Sequence, residues 1–238
     1  MLSSVKAVVL AAGKGERLRG FVDDIPKPMI RLRGKPILEH NIEWLRAHGI
    51  TDIYVNLHHL PNVIKDHFGD GKRQKIHITY AFEKELLGTA GAVRAIADTF
   101  WNSNSVNTFL VVHGDSVFKC DLFHIMRFHE SKQGIGTVCL YVKDDVHQSG
   151  IAVLNDENKI VRFIEKPRRN EIVSNLANAG VYVLSRALLR YIPKNQFSDF
   201  GRDIFPKIIN SNERLYGIIL GETHIAVDTP ELLKSIME

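Results

Sequence analysis

A chain of 238 residues, 45% hydrophobic and 24% charged, is long enough for one large α/β domain with a buried core or for two small ones, and its composition argues against a disordered chain. Its formal charge is +4, with 31 Lys and Arg dispersed among 27 Asp and Glu, which suits small anionic ligands and lacks the dense basic run of a nucleic-acid binder. No apolar run approaches the roughly 18 residues of a membrane span, Met1 to Lys6 leads into the first strand with no signal-peptide core, and Cys120 and Cys139 share no CxxC spacing, so the expectation is a complete, cytoplasmic protein in a reducing compartment.

Val8 to Leu10 reads as a buried strand that breaks into Ala11, Ala12, Gly13, Lys14 and Gly15. Residues with little or no side chain at the carboxyl end of a strand let a phosphate-bearing ligand reach the backbone N–H groups. Arg17 and Lys27 bring cations to the same spot, and Pro26 and Pro28 stiffen the segment that carries the flexible lysine. A strand followed by a glycine turn also occurs in α/β domains that bind nothing there. Two other phosphate loops fail on spacing. A Walker loop needs GxxxxGK followed by Ser or Thr, whereas Glu16 and Arg17 follow Gly15. A dinucleotide fingerprint needs a third glycine where Leu18 stands, and Arg19 after it is too bulky for close helix packing.

Met29 to Leu32 reads as a short strand, Gly34 to Pro36 as a turn, and Ile37, Leu38, Ile42 and Leu45 as the apolar stripe of a helix stopped by Gly49. Asp52 to Asn56 is a second strand. His58 and His59 after it invite a metal, but adjacent residues point different ways and no third ligand is suggested nearby, so a loop opening a helix at Pro61 is expected. Ile76 to Ala81 is a third strand. In Glu85 to Ala92 (ELLGTAGA) the glycines bring the backbone close to a ligand or to packed chain, and the helix running on to Thr99 offers unpaired N–H groups at its start.

Asn107 to Val112 is a fourth apolar strand, ending in His113, Gly114 and Asp115. A carboxylate at that edge of a parallel sheet is a magnesium ligand or a helix cap. A helix over Asp121 to Lys132 and a strand over Thr137 to Lys143 follow, then a hairpin of Ile151 to Leu154 and Lys159 to Ile164 around the turn Asn155 to Asn158. Next come a strand from Asn178 to Leu184, a loop and helix over Ser198 to Asn210, strands near Leu215 to Leu220 and Thr223 to Val227, and a helix from Pro230. With no repeat and no linker, one domain over 1–238 is expected.

LAAGKGERL, PKPMIRLRGKPILEH, LGTAGA, GDS, FIEKP, NAGVYVL and DFGRDIFPKII occur in this order, and through them the chain resembles the sugar-1-phosphate nucleotidyltransferases over essentially its whole length. LGTAGA and DFGRDIFPKII are most similar to the mannose-1-phosphate and heptose-1-phosphate guanylyltransferase branch. The resemblance implies a single Rossmann-like α/β domain of the nucleotide-diphospho-sugar transferase type. Its mixed, mostly parallel central sheet would be flanked by helices, with a nucleotide-binding part over about 1–115 and a sugar-phosphate-binding part over about 116–238. It implies Arg17, Lys27 and Asp115 as catalytic residues, and Leu10, Ala12, Gly13, Gly15, Glu85, Gly88, Thr89 and Ala90 at the nucleotide. Gly150, Glu165, Lys166 and Asn178 would bind the sugar phosphate, Glu165 accepting from sugar hydroxyls and Lys166 touching the phosphate, and Asp115 and Asp228 would hold Mg2+. On residue chemistry alone, Glu165 and Lys166 are an ordinary solvated ion pair, and Asn178 is a turn former or a hydroxyl-binding amide.

The partners so implied are a nucleoside triphosphate and a sugar 1-phosphate, with no nucleic acid, and the oligomeric state stays open between monomer and homodimer. In-line attack on the α-phosphorus by a phosphate that is already an anion needs no general base. Two departures stand out. His113 occupies a position where related members commonly have asparagine, and Ala226 one where they usually have aspartate, so this chain keeps only Asp228. The rival readings are a uridylyl-, thymidylyl- or cytidylyltransferase of the same family and a catalytically reduced regulatory subunit that binds nucleotide or sugar phosphate. An oxidoreductase would need an acidic ribose ligand about 20 residues past the turn, and Glu39 in that range lies inside the expected helix.

Overall fold

The computed structural model describes residues 2–13, 25–101, 106–221 and 224–226. In chain order the strands are β1 (Lys6–Leu10), β2 (Arg31–Leu32), β3 (Lys35–Pro36), β4 (Asp52–Leu57), β5 (His77–Phe82), β6 (Thr108–His113), β7 (Ser116–Phe118), β8 (Gly136–Val142), β9 (Gly150–Leu154), β10 (Ile160–Glu165), β11 (Leu176–Ser185), β12 (Leu215–Ile219) and β13 (His224–Ala226). The α-helices are α1 (Ile37–Ala47), α2 (Pro61–Phe68), α3 (Gly88–Phe100), α4 (Leu122–Lys132) and α5 (Phe205–Asn210). The architecture is α/β with a mixed sheet and flanking helices, as expected. Contacts divide the chain into two units. One takes in the chain up to Leu86, Val112–Lys119 and the segment from His224; the other takes in Leu87–Val111 and Cys120–Thr223.

In the first unit β1, β4 and β5 run parallel, with Val8 opposite Tyr54 and Tyr54 opposite Thr79. Strands covered on both faces read as unbroken apolar runs, and Ala7, Val8, Val9, Ile53 and Val55 are completely buried. The α1 stripe of Ile37, Leu38, Ile42 and Leu45 is also completely buried, each side chain contributing roughly 1.5–3 kcal/mol. The helix ends in a Schellman motif: Gly49 takes φ +81°, its N–H donates to the Arg46 carbonyl at 2.9 Å, and the Ile50 N–H donates to that of Leu45 at 3.0 Å.

The expectation for the segment after Lys27 needed correction. Met29–Leu32 is not one strand, because Pro28 lacks an N–H and has φ preset for a turn, and Lys27–Met29 form a 3-10 turn. Only Arg31 and Leu32 pair as strand, with Lys35 and Pro36 across a two-residue turn in which Arg33 (φ 51°) and Gly34 (φ 81°) both have positive φ. The short β7, which carries no periodic signal of its own, pairs antiparallel with β13.

In the second unit the strand order is β10-β9-β11, with β8 between β11 and β12. The pair β8–β12 is parallel and the others are antiparallel. The expected β9–β10 hairpin forms with Ile151 opposite Ile164. Helix α4 starts where the Asp121 carboxylate accepts the Phe123 N–H at 2.9 Å. On its inner face His129 is buried, Nδ1 lying 3.0 Å from Thr137 Oγ1 on β8.

Burial pushes the His129 imidazole down from 6.5 to about 4. Between those values the unfolded chain binds a proton that the native chain does not, so the stabilisation is complete above about pH 6.5 and is lost as the pH falls toward 4. Urea unfolding at pH 7 and 4.5 should show the wild type losing about 2 kcal/mol more than His129→Phe. Equal losses would contradict a neutral, buried imidazole.

Candidate functional site

The turn after β1 is where sequence put a phosphate-receiving segment, and within the first unit it lies against the strand end that carries Asp115. Ala11 and Ala12 are buried and Gly13 is exposed. The Leu10 carbonyl accepts the Gly114 N–H at 2.9 Å, which brings the His113–Asp115 corner beside the turn. Lys27, only 8% exposed, directs Nζ to Asp115 Oδ2 at 2.7 Å. Burial works against the charged form of Asp115. The Lys27 ammonium, His113 and the hydrogen bond from Lys27 together outweigh it and hold the carboxyl below the usual carboxylate range. Its side chain is still 34% exposed, so the pair does not seal it from a ligand.

The neighbour of Asp115 is held from two sides. Asn41 of α1 donates Nδ2 to the Ser116 carbonyl at 2.7 Å, and Ala226 of β13 pairs opposite Ser116. Ala226, where the resemblance leads one to expect an aspartate, is thus one register position from Asp115. Gly15, Arg17 and Asp228 lie outside the described residues.

Sequence reasoning missed two polar residues in this unit. Asn56 and Glu83 are 4% and 6% exposed. Asn56 Oδ1 accepts the Ala11 N–H at 2.6 Å, its Nδ2 donates to Glu83 Oε1 at 2.6 Å, and the Glu83 carbonyl meets His58 Nδ1 at 2.9 Å. Glu85, singled out from sequence, is exposed. The available signal was position: Asn56 falls at the end of an apolar parallel strand, as Asp115 follows one.

In the second unit the LGTAGA loop folds onto the segment before α5. The N–H groups of Ala90 and Gly91, expected to be unpaired, donate to the Ser198 carbonyl at 2.9 and 3.0 Å, and the Ser198 N–H donates to Leu87. Gly88 has φ +74°, and a Cβ there would lie 2.5 Å from that same carbonyl oxygen. Close packing of chain on chain therefore accounts for this glycine. The Thr89 hydroxyl donates to Asp199 Oδ2 at 2.8 Å and accepts the Phe200 N–H at 2.9 Å.

Asp199 also caps the Gly201 and Arg202 N–H groups, starting a π-turn over Phe200–Ile204. Pro206 has no N–H to continue an α ladder, and the Phe205 N–H reaches back to Phe200. Phe200 and Phe205 anchor the turn on Tyr182, with ring centroids 5.3 and 5.2 Å away.

That turn sets Gly201 against Glu165. A Cβ at Gly150 or Gly201 would come within 2.6 or 2.4 Å of Glu165 Oε2. Burial and then Asp199 push the Glu165 carboxyl up, against Lys166 and Arg202, so this is not the freely solvated pair that residue chemistry alone suggested. Lys166 is exposed, with φ 49°. Asn178 forms an internal turn, Oδ1 accepting the Gly180 N–H at 3.0 Å and Nδ2 donating to the Tyr182 hydroxyl at 2.7 Å.

Among the described residues no group of three or more His, Cys, Asp or Glu is arranged to hold a metal ion. Asp115 alone fits a magnesium ion whose remaining ligands are phosphate oxygens and water.

Residues 6–223 match the family model described as nucleotidyl transferase. Over 225 residues the chain is 36% identical to a UTP–glucose-1-phosphate uridylyltransferase of Synechocystis sp., covering 90% of this chain and 58% of that protein. Over 228 residues it is 31% identical to a mannose-1-phosphate guanylyltransferase of Mycobacterium tuberculosis, covering 95% of this chain and 62% of that one. The chain therefore spans less than two thirds of the length of these relatives. The crystal structure of HddC from Yersinia pseudotuberculosis complexed with GMP-PN is similar at a TM-score of 0.79 and 25% identity, covering 98% of this chain and 97% of that one.

Replacing Lys27 by Met keeps much of the length but removes the cation, leaving burial less opposed. The Asp115 carboxyl pKa should rise, as read by carbon-detected NMR titration, and an unchanged value would show that Lys27 is not what holds it down.

Proposed function

The chain belongs to the nucleotidyl transferase family, and from that premise we propose that it transfers a nucleoside monophosphate from a nucleoside triphosphate to a sugar 1-phosphate, releasing pyrophosphate. The observation that carries this reading is the 2.7 Å contact of Lys27 with Asp115 beside the turn after β1. Transfer at phosphorus asks a protein for alignment and for positive charge where negative charge develops, and little covalent help. The sugar phosphate is already an anion, so no side chain has to deprotonate it.

In this mechanism the backbone after β1 and Arg17 receive the β- and γ-phosphates, and Lys27 turns from Asp115 toward the α-phosphoryl oxygens. Gly88, Thr89, Ala90 and Glu85 border the base and ribose, while Gly150, Glu165, Lys166 and Asn178 receive the sugar phosphate. The raised pKa of Glu165 suits a group that accepts from, or donates to, a sugar hydroxyl. Asp115, with Asp228 as second ligand, would hold Mg2+, which supplies further positive charge at the α-phosphate. The pairing of Ala226 with Ser116 supports an approach of the last motif to Asp115.

The favoured substrates are GTP with mannose or heptose 1-phosphate. The mannose-1-phosphate guanylyltransferase relative and the likeness to HddC with GMP-PN support the base, and the uridylyltransferase relative supports UTP with glucose 1-phosphate as the second reading.

Pyrophosphate release across a panel of triphosphates and sugar 1-phosphates, with magnesium, tests the proposal. The expected maximum is a GTP pair, and Lys27→Ala should lower kcat about 100-fold or more with a much smaller change in KM. Binding of nucleotide without turnover of any pair would instead support a regulatory binding subunit.

A further inference from the structure

Asp115 has Lys27, but the second polar pair at the same edge of the first unit, Asn56 and Glu83, has no role in the chemistry above. A buried amide against a buried carboxylate is costly unless its groups are matched. Asn56 Nδ2 donates to Glu83 Oε1 at 2.6 Å. That decides which end of the amide points where: Oδ1 faces the Ala11 N–H at 2.6 Å. The register of β1 against β4 runs to Leu10 opposite Asn56. At the next residue the Asn56 side chain takes over from the backbone ladder.

We infer that Asn56 is a positioning residue for the nucleotide: Glu83 orients its amide, and the amide holds the Ala11 N–H and so sets how the chain leaves β1 toward Ala12 and Gly13. The inference rests on the reading of that turn as the one that receives nucleotide phosphate. Asn56→Asp puts two carboxylates face to face and loses the donor. Asn56→Asp with Glu83→Gln reverses the polarity of the pair, since Gln Nε2 donates to Asp and Asp still accepts from Ala11.

The test is steady-state kinetics of wild type, both single variants and the double variant, with the best pair from the substrate panel and with melting temperatures measured alongside. Asn56→Asp should lower kcat/KM for the triphosphate about tenfold or more, leave KM for the sugar phosphate within about twofold, and regain most of the loss when Glu83→Gln is added. A double variant no better than Asn56→Asp, full activity of Asn56→Asp, or a loss that follows melting temperature and affects both substrates alike would overturn the inference. If the wild type turns over no pair, the functional proposal fails, and amide exchange decides this one by itself. Exchange at Ala11 should be about tenfold faster in Asn56→Ala with Val9 unaltered, and unchanged protection at Ala11 would overturn it.

Discussion

A buried lysine must be paired, and much of the first unit's site follows from how that requirement is met. Lys27 is carried inward on a short turn stiffened by prolines and finds one oxygen of Asp115. An ion pair removed from water stabilises little by itself, since desolvation offsets most of the attraction. What the arrangement does achieve is to hold a cation beside the turn after β1, next to a carboxylate whose pKa it lowers. The pairing also requires the strand ends after β1 and β6 to meet, which the Gly114–Leu10 hydrogen bond accomplishes.

The same edge shows how parallel strands build a polar site without weakening their core. β1, β4 and β6 are apolar through their middle, and polar side chains stand at or just past the carboxyl ends of β4, β5 and β6, at Asn56, Glu83 and Asp115. There the backbone ladder stops and side chains continue it. Asn56 is the clearest case, because its amide does for Ala11 what the next strand residue would otherwise do. Its orientation is imposed by Glu83, so a carboxylate acts on the turn without touching it.

In the second unit the constraint is steric. Gly88 lets the LGTAGA loop close on Ser198, and Gly150 and Gly201 both leave room for Oε2 of the Glu165 carboxylate. Thr89 ties the loop to Asp199, and Asp199 caps the turn that presents Gly201. A Cβ at Gly201 would therefore be felt at a carboxylate 36 residues earlier in the chain. The small size of these glycines matters for what it allows neighbouring groups to do.

Sequence by itself determined the α/β alternation, the apolar strands, the amphipathic α1 with its glycine stop, the β9–β10 hairpin, and the family through its ordered motifs. All of these rest on short-range periodicity, turn chemistry or local spacing. It also named Lys27 and Asp115, because a lysine between prolines and a carboxylate ending a strand are visible locally. Only the tertiary structure decided that the two touch, that Glu83 rather than Glu85 is buried, that Asn56 reaches Ala11, and that Ser198 occupies the N–H groups at the start of α3. Each of those facts joins segments tens of residues apart. Burial and hydrogen-bond partnership belong to the packed arrangement, and no local pattern of residue types encodes which distant atom will take a given lone pair.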